Sequence, residues 1–96
     1  MNSDRRATFA AILKLHPGNS GARQRTRMLT AMQMLGHVTT YEGSRYLDCY
    51  DPRARVYELR KKQGHSITTV MRDEPTESGV LHRVGVYFLS IAKECV

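Results

Sequence analysis

The side chains of this sequence with the clearest chemical potential are cationic. Five of them fall within one short segment, which also holds Tyr57: Arg53, Arg55, Arg60, Lys61 and Lys62. Guanidinium and ammonium groups donate charge-assisted hydrogen bonds, which suit phosphate oxygens and the acceptor edge of guanine. The segment therefore has the chemistry of a surface that binds a polyanion.

The thiol and imidazole groups do not form a recognisable catalytic or metal-binding motif. Cys49 and Cys95 are far apart, and the four histidines lack ligand spacing: His16, His37, His65 and His82. A nucleophile pair of Cys49 and His37 would lack an orienting acid and an oxyanion site. We therefore expect no enzyme activity, no metal, no cofactor and no small-molecule substrate.

The net charge of +6 is unevenly distributed over the 96 residues. Residues 1–62 hold 12 Lys and Arg against 5 acids, an excess of +7, whereas residues 63–96 hold 3 against 4, which leaves −1. A concentrated positive surface gains affinity for a polyanion by counterion release. A solvated basic face that only promotes solubility is the alternative that charge alone leaves open.

Length and hydropathy indicate one small domain. Folding at this length hides about 60 to 68% of the unfolded surface, which supports a single modest core. The longest apolar stretch near the start, Phe9 to Leu13, is too short for a spanning helix. We expect a soluble, cytoplasmic protein with reduced cysteines and no membrane partner.

Residues 1–19 are predicted to form an arm or accessory helix, because Phe9, Ile12 and Leu13 have i, i+3, i+4 spacing. This segment could dock on the domain, pair with a second copy or stay mobile. A helix follows between Ser20, a suitable N-cap, and Gly36, with one apolar stripe of Met28, Leu29, Met32 and Leu35.

Capping residues mark two further helices. Thr39 and Glu42 have capping-box spacing, which predicts a short helix over about 40–47. After a tight turn, the pair Asp51-Pro52 starts a third helix, 52–62, that Gly64 closes.

The last third of the chain is predicted to be a β-hairpin. Residues 65–72 are rich in β-branched side chains, residues 73–79 form a long loop, and 80–89 place Val84, Val86 and Phe88 on one face. His37-Val38 could add a third small strand, and residues 90–96 are expected to be a loose tail.

This order of elements is that of an α+β winged helix-turn-helix domain, with a three-helix core and a β-hairpin wing over 20–89. Helix 52–62 then reads the major groove of double-stranded DNA. Val56 and Leu59 should face the core, while the opposite face carries Arg53, Ala54, Tyr57 and Lys61. Arg53 stands in the first turn, which enters deepest, and is expected to contact a base.

The remaining candidate contacts surround that face. Lys61 and Lys62 suit backbone phosphates, Arg60 borders the buried stripe, and Arg55 either contacts DNA or pairs with Glu42 or Glu58. The helix over about 40–47 adds Thr40, Tyr41 and Arg45, and further candidate phosphate contacts are Arg23, Arg25, Arg72 and Arg83.

The segment from Asp51 to Lys62, followed by Gly64-His65-Ser66-Ile67, resembles the pattern P-x-A-R-V-x-E-L-R-x-x-G-x-x-I of winged helix-turn-helix domains in small phage and prophage proteins. The upstream residues 24–29 and 38–40 are similar to the first helix and the start of the second helix of that family. The resemblance covers about Arg23 to Phe88 and implies DNA binding, as a small transcriptional regulator or a recombination accessory factor. Gln63 stands as an extra residue before Gly64, and the arm lies outside the shared region.

The predicted wing loop carries Asp73, Glu74 and Glu77 and no basic residue. Phosphates would repel such a tip, so we expect it to stay out of the minor groove. An acidic tip and the apolar arm also leave an alternative function open: a protein-interaction or dimerisation module. A homodimer is compatible with either function.

Overall fold

A computed structural model describes residues 3–90, which form four helices and a three-stranded antiparallel sheet. The elements in chain order are α1 (Ser3–Leu15), α2 (Gly21–Leu35), β1 (His37–Thr39), α3 (Thr40–Tyr46), α4 (Pro52–Lys61), β2 (Ile67–Pro75) and β3 (Leu81–Leu89). The fold is therefore α+β, as predicted. Except for Ser90, the predicted tail lies outside the described residues.

The predicted helix boundaries agree with the capping geometry. The Ser20 hydroxyl accepts a hydrogen bond from the Arg23 amide, and Gly36 ends α2 with a positive φ of 88°. Thr39 and Glu42 form both bonds of the capping box at the start of α3. The Asp51 carboxylate accepts from the Ala54 amide, with Pro52 in the first turn of α4. Local side chains thus satisfy amide groups that each helix start leaves without partners.

The sheet has the order β1-β3-β2, so the predicted strand at His37-Val38 exists and pairs with β3. The prediction of a long loop over 73–79 was wrong. Strand β2 continues to Pro75, and Asp73 and Glu74 pair with Arg83 and His82 of β3. The two strands continue through these polar residues, and the Asp73 carboxylate faces the Arg83 guanidinium across the hairpin.

Helix α1 packs on the domain, one of the three placements that the sequence left open. Phe9 and Ile12 have no exposed surface and belong to the same core as Met28, Val56 and Leu59. The Phe9 ring also stacks on Tyr46 of α3, with the ring centroids 5.8 Å apart. The apolar face of the arm is therefore used inside the molecule.

A buried arginine holds the helices together. Arg27 of α2 has no exposed surface, although it lies in the arginine-rich half of its helix. Its guanidinium donates to the carbonyls of His16 (2.7 Å) and Gly18 (2.8 Å) beyond α1, and to those of Leu47 (2.7 Å) and Asp48 (3.2 Å) beyond α3. Carbonyls at helix C-termini carry partial negative charge, so they compensate the buried cation.

A second arginine joins α1 to the capping box. Nε and Nη2 of Arg5 donate to the two carboxylate oxygens of Glu42 at 2.8 and 3.0 Å, and Nη2 also donates to the His37 carbonyl. Burial alone raises the pKa of the Glu42 carboxyl, but the hydrogen bonds from Arg5 and from the Thr39 amide outweigh it. The net pKa of Glu42 is therefore below its usual value.

We predict that Arg27→Ala destabilises the fold by more than about 3 kcal/mol, because buried carbonyls would lose a charged donor. Arg23→Ala, on an exposed position of the same helix, should change the free energy of unfolding by less than about 0.5 kcal/mol. Urea denaturation followed by circular dichroism measures both. Equal midpoints for the two variants would contradict the role assigned to Arg27.

We also predict that stability falls when Glu42 is protonated. Because its pKa is lower in the folded state, its contribution is present above the unfolded pKa of about 4.3 and is lost as pH falls through the folded value. Melting temperatures between pH 7 and pH 3 should therefore fall less steeply for Glu42→Gln than for the parent. Parallel curves would show that the Arg5–Glu42 pair contributes nothing to stability.

Candidate nucleic-acid interface

Helix α4 presents one buried and one exposed face. Pro52, Val56 and Leu59 are buried. Arg53, Tyr57 and Lys61 are exposed, and their spacing of four residues aligns them along the helix. The Tyr57 residue is 55% exposed. The structure thus places these three predicted contacts in one row, with Ala54 half-buried beside it.

A concave surface joins this row to the sheet. A groove of about 440 Å³ lies between α4 and the wing strands and is lined by Arg53, Val56, Tyr57, Arg60, Thr69, Met71, Gly85 and Tyr87. A depression of about 240 Å³ shares Arg53 and Gly85 with it and adds Thr40, Tyr41, Ser44, Thr76, Arg83 and Val84. We call the two together the reading surface. It combines predicted contacts from α3, α4 and β3.

Gly85 lies in the reading surface where α3 closely approaches β3. The Thr40 hydroxyl donates to the Gly85 carbonyl at 3.3 Å and lies 3.0 Å from the Tyr87 hydroxyl. A Cβ at position 85 would stand 3.1 Å from the Thr40 oxygen and 3.2 Å from the Tyr87 oxygen. The absence of a side chain at Gly85 therefore lets α3 dock directly on β3.

Two candidate DNA contacts, Arg25 and Arg55, lie on the opposite flank of α4, next to α2. Glu58 accepts a hydrogen bond from Arg25 at 2.8 Å and pairs with Arg55 at 3.4 Å. The Arg25 hydrogen bond is the main reason why the pKa of Glu58 is below its usual value. One carboxylate thus serves two guanidinium groups, and this flank keeps an excess of one positive charge. Of the two partners considered for Arg55, the structure selects Glu58.

Arg60 connects α4 to the wing. Its guanidinium donates to the Ile67 carbonyl at 3.1 Å and to the Thr69 hydroxyl at 3.0 Å. Both acceptors belong to β2, which otherwise contacts the helices little. Arg60 therefore positions β2 relative to α4, and it also lines the reading surface.

The acids of the wing are all paired with basic residues of the same chain. Arg83 lies 3.7 Å from Asp73, Arg72 lies 2.6 Å from Glu74, and Arg45 of α3 lies 2.8 Å from Glu77 in the turn. Strand alternation places Arg72 on the face of the sheet opposite to Arg83, near Arg5 and His37. The wing is therefore less acidic than its sequence alone indicates.

Among residues 3–90, no ion pair involves Arg53, Lys61 or Lys62. Arg23 is also exposed, at the start of α2.

The sequence patterns did not identify Ser44, Thr69, Met71 and Tyr87 as parts of the reading surface. Alternation along β3 favoured Val84, Val86 and Phe88 as the buried face, but helices and strands cover both faces near Tyr87, which is buried.

The structure offers no support for a cysteine nucleophile. Cys49 is buried, and burial raises the pKa of its thiol to about 11, so the reactive thiolate is scarce at neutral pH. In the described part of the chain no three His, Cys, Asp or Glu residues are grouped as metal ligands, and no helix there has the length and apolarity to cross a bilayer.

The architecture is that of a winged helix: a helical core that holds one exposed basic helix, followed by a hairpin. The family model described as "Winged helix-turn-helix domain" matches residues 23–92, and the chain belongs to this family. Membership in this family suggests DNA binding. Neither the curated proteins nor the solved structures contain a significant match. Helix α1 precedes the matched region.

We predict that Arg60→Ala lowers stability by about 1 kcal/mol, because the Ile67 carbonyl and the Thr69 hydroxyl lose a charged donor. Lys61→Ala, one residue along the same helix, removes the same charge from an exposed position and should leave stability unchanged within about 0.5 kcal/mol. Thermal unfolding of the two variants checks this. A loss for Lys61→Ala as large as that for Arg60→Ala would refute the positioning task of Arg60.

Proposed function

We propose that the protein is a sequence-specific double-stranded DNA-binding protein that reads the major groove with α4. It acts as a small transcriptional regulator or recombination accessory factor of the kind found in phages and prophages. The observation that carries this proposal is the exposed row of Arg53, Tyr57 and Lys61 on the third helix of a winged helix-turn-helix domain.

The chemistry of each position suits the proposed contact. Arg53 stands in the first turn of α4, where a recognition helix enters the groove, and its planar guanidinium can donate two hydrogen bonds to guanine. Tyr57, one turn later, can contact a phosphate or a thymine methyl group. Lys61 and Lys62 at the end of α4 suit backbone phosphates, which position the protein without reading sequence.

The flanks of α4 extend the contact to both sides. Arg25 and Arg55 share one carboxylate, so their excess charge favours phosphates on the α2 side, with Arg23 nearby. Thr40, Tyr41 and Arg83 border the reading surface on the wing side. The Glu77 carboxylate in the wing turn is half-exposed although it pairs with Arg45, so we propose that the tip does not enter the minor groove.

A protein-interaction module is the weaker candidate, because the apolar arm on which it would rely contributes Phe9 and Ile12 to the protein's own core. A homodimer remains part of the proposal. Two copies related by a twofold axis would bind half-sites about 34 to 36 Å apart, or a multiple of that distance.

Selection of bound duplexes from a random pool tests the proposal and identifies the site. Discrimination is the ratio of the affinities for the selected duplex and for a duplex with one base pair of the site changed. Arg53→Ala should reduce it by about 1–3 kcal/mol, or up to a factor of about 100. Arg53→Lys is the matched variant: it keeps the charge and the salt dependence but loses the planar fork of donors, so its discrimination should lie between that of Arg53→Ala and that of the parent. If no duplex is enriched, the proposed function is wrong.

If duplexes are enriched but Arg53→Ala discriminates like the parent, another part of the protein reads the bases. Fluorescence anisotropy with matched and mismatched duplexes at several salt concentrations separates these outcomes, because phosphate contacts change the salt dependence and base contacts change the discrimination.

A further inference from the structure

Two arginines from different helices surround one aromatic ring outside the reading surface. The guanidinium carbon of Arg6, on α1, lies 5.5 Å from the centre of the Tyr46 ring, and that of Arg45, on α3, lies 5.4 Å from the same centre. Phe9 stacks on Tyr46 nearly in parallel, at 7°, and Tyr41 meets it edge-on. We call Arg6, Arg45 and Tyr46 the arginine platform.

The arginine platform has a positive charge that the protein only partly compensates. It borders a depression of about 520 Å³ whose other lining residues are Ala7, Phe9, Ala10 and Leu13, none of them acidic. Within residues 3–90, Arg6 has no ion pair, and Arg45 pairs with Glu77 alone. Both partners of that pair are about half exposed, so solvent weakens it and a competing anion can replace Glu77.

The position of the platform indicates which anion it meets. Thr40, Tyr41 and Ser44 of α3 line the reading surface, and Arg45 follows directly on the same helix. In helix-turn-helix proteins the helix before the recognition helix crosses the DNA backbone. Arg45 also contacts Glu77 of the wing turn, so the platform adjoins the wing side of the reading surface. A duplex bound by α4 would present backbone phosphates there.

We propose that the arginine platform binds the phosphodiester backbone of the duplex beyond the base pairs read by α4. The inference rests on the proposed function. Guanidinium groups match phosphate oxygens in paired hydrogen bonds, and the Tyr46 ring restrains both side chains before binding. Helix α1, which precedes the residues matched by the family, thereby extends the DNA contact of this chain.

The test compares Arg6→Ala with Lys14→Ala, which removes the same charge from another exposed position of α1. Anisotropy titrations use a 30-base-pair duplex that carries the selected site and a scrambled duplex. Arg6→Ala should reduce the slope of log affinity against log salt by about 0.9, the value for one phosphate contact. Affinity should fall by the same factor on both duplexes, so that discrimination is unchanged, while Lys14→Ala should match the parent.

Glu77→Gln provides a test with the opposite sign. It frees Arg45 for phosphate and should raise affinity on both duplexes, whereas Arg45→Gln should lower it.

Hydroxyl-radical footprinting should show that Arg6→Ala loses protection at the outer sugars but keeps the protection around the selected site. Thermal melts establish that each variant is folded at the assay temperature.

Several outcomes would overturn the proposal. The proposal is wrong if Arg6→Ala and Lys14→Ala give equal affinities and salt slopes, if Arg6→Ala changes discrimination, or if the outer footprint persists in that variant. Each would leave the proposed function intact if the parent still selects a duplex. By contrast, a parent that binds no duplex would refute the proposed function itself. An acidic peptide that binds the parent but not Arg6→Ala, with DNA affinity unchanged, would assign the platform to a protein partner.

Discussion

The rest of the structure depends on the burial of one guanidinium group. Arg27 reaches from α2 to carbonyls that follow α1 and α3, so three helices are joined at a single side chain. The turn that it holds leads directly into α4, and Asp48 in that turn has a positive φ of 51°. A non-glycine residue in the left-handed region of φ and ψ is uncommon. The hydrogen bond from Arg27 to the Asp48 carbonyl helps to maintain this backbone conformation. The start of α4 therefore has a defined position relative to the core.

Arginines also hold α4 from both sides. Arg25 and Arg55 meet at Glu58 on the α2 side, and Arg60 binds the backbone and a hydroxyl of β2 on the wing side. These contacts use basic residues for internal positioning and leave Arg53, Tyr57 and Lys61 exposed between them. Under the proposed function, a helix whose backbone is already held in place has less conformational freedom to lose when it enters a groove.

The charge of the molecule is less simple than its net value of +6. Pairing within the wing and between Arg45 and Glu77 neutralises much of the acidic hairpin, while the α2 flank of α4 keeps an uncompensated cation. The arginine platform adds a second positive region through Arg6 of α1. Exposed ion pairs contribute little to stability, so those at the wing can exchange partners when a polyanion approaches. Under the proposed function, it is this local distribution of charge, and not the net value, that selects the surface for DNA.

The sequence by itself determined the elements of the molecule, because their signals are local. Ser20, the Thr39–Glu42 capping box and Asp51-Pro52 mark helix starts within a few residues, and the spacing of Val56 and Leu59 separates the buried face of α4 from the exposed row. Tertiary structure alone decided which arginine is buried, how far the wing strands extend and where α1 docks. Arg27 and Arg25 are two residues apart and chemically identical, yet only Arg27 points toward the carbonyls of distant turns. Such partners come together through packing over long sequence separations, which no local pattern records.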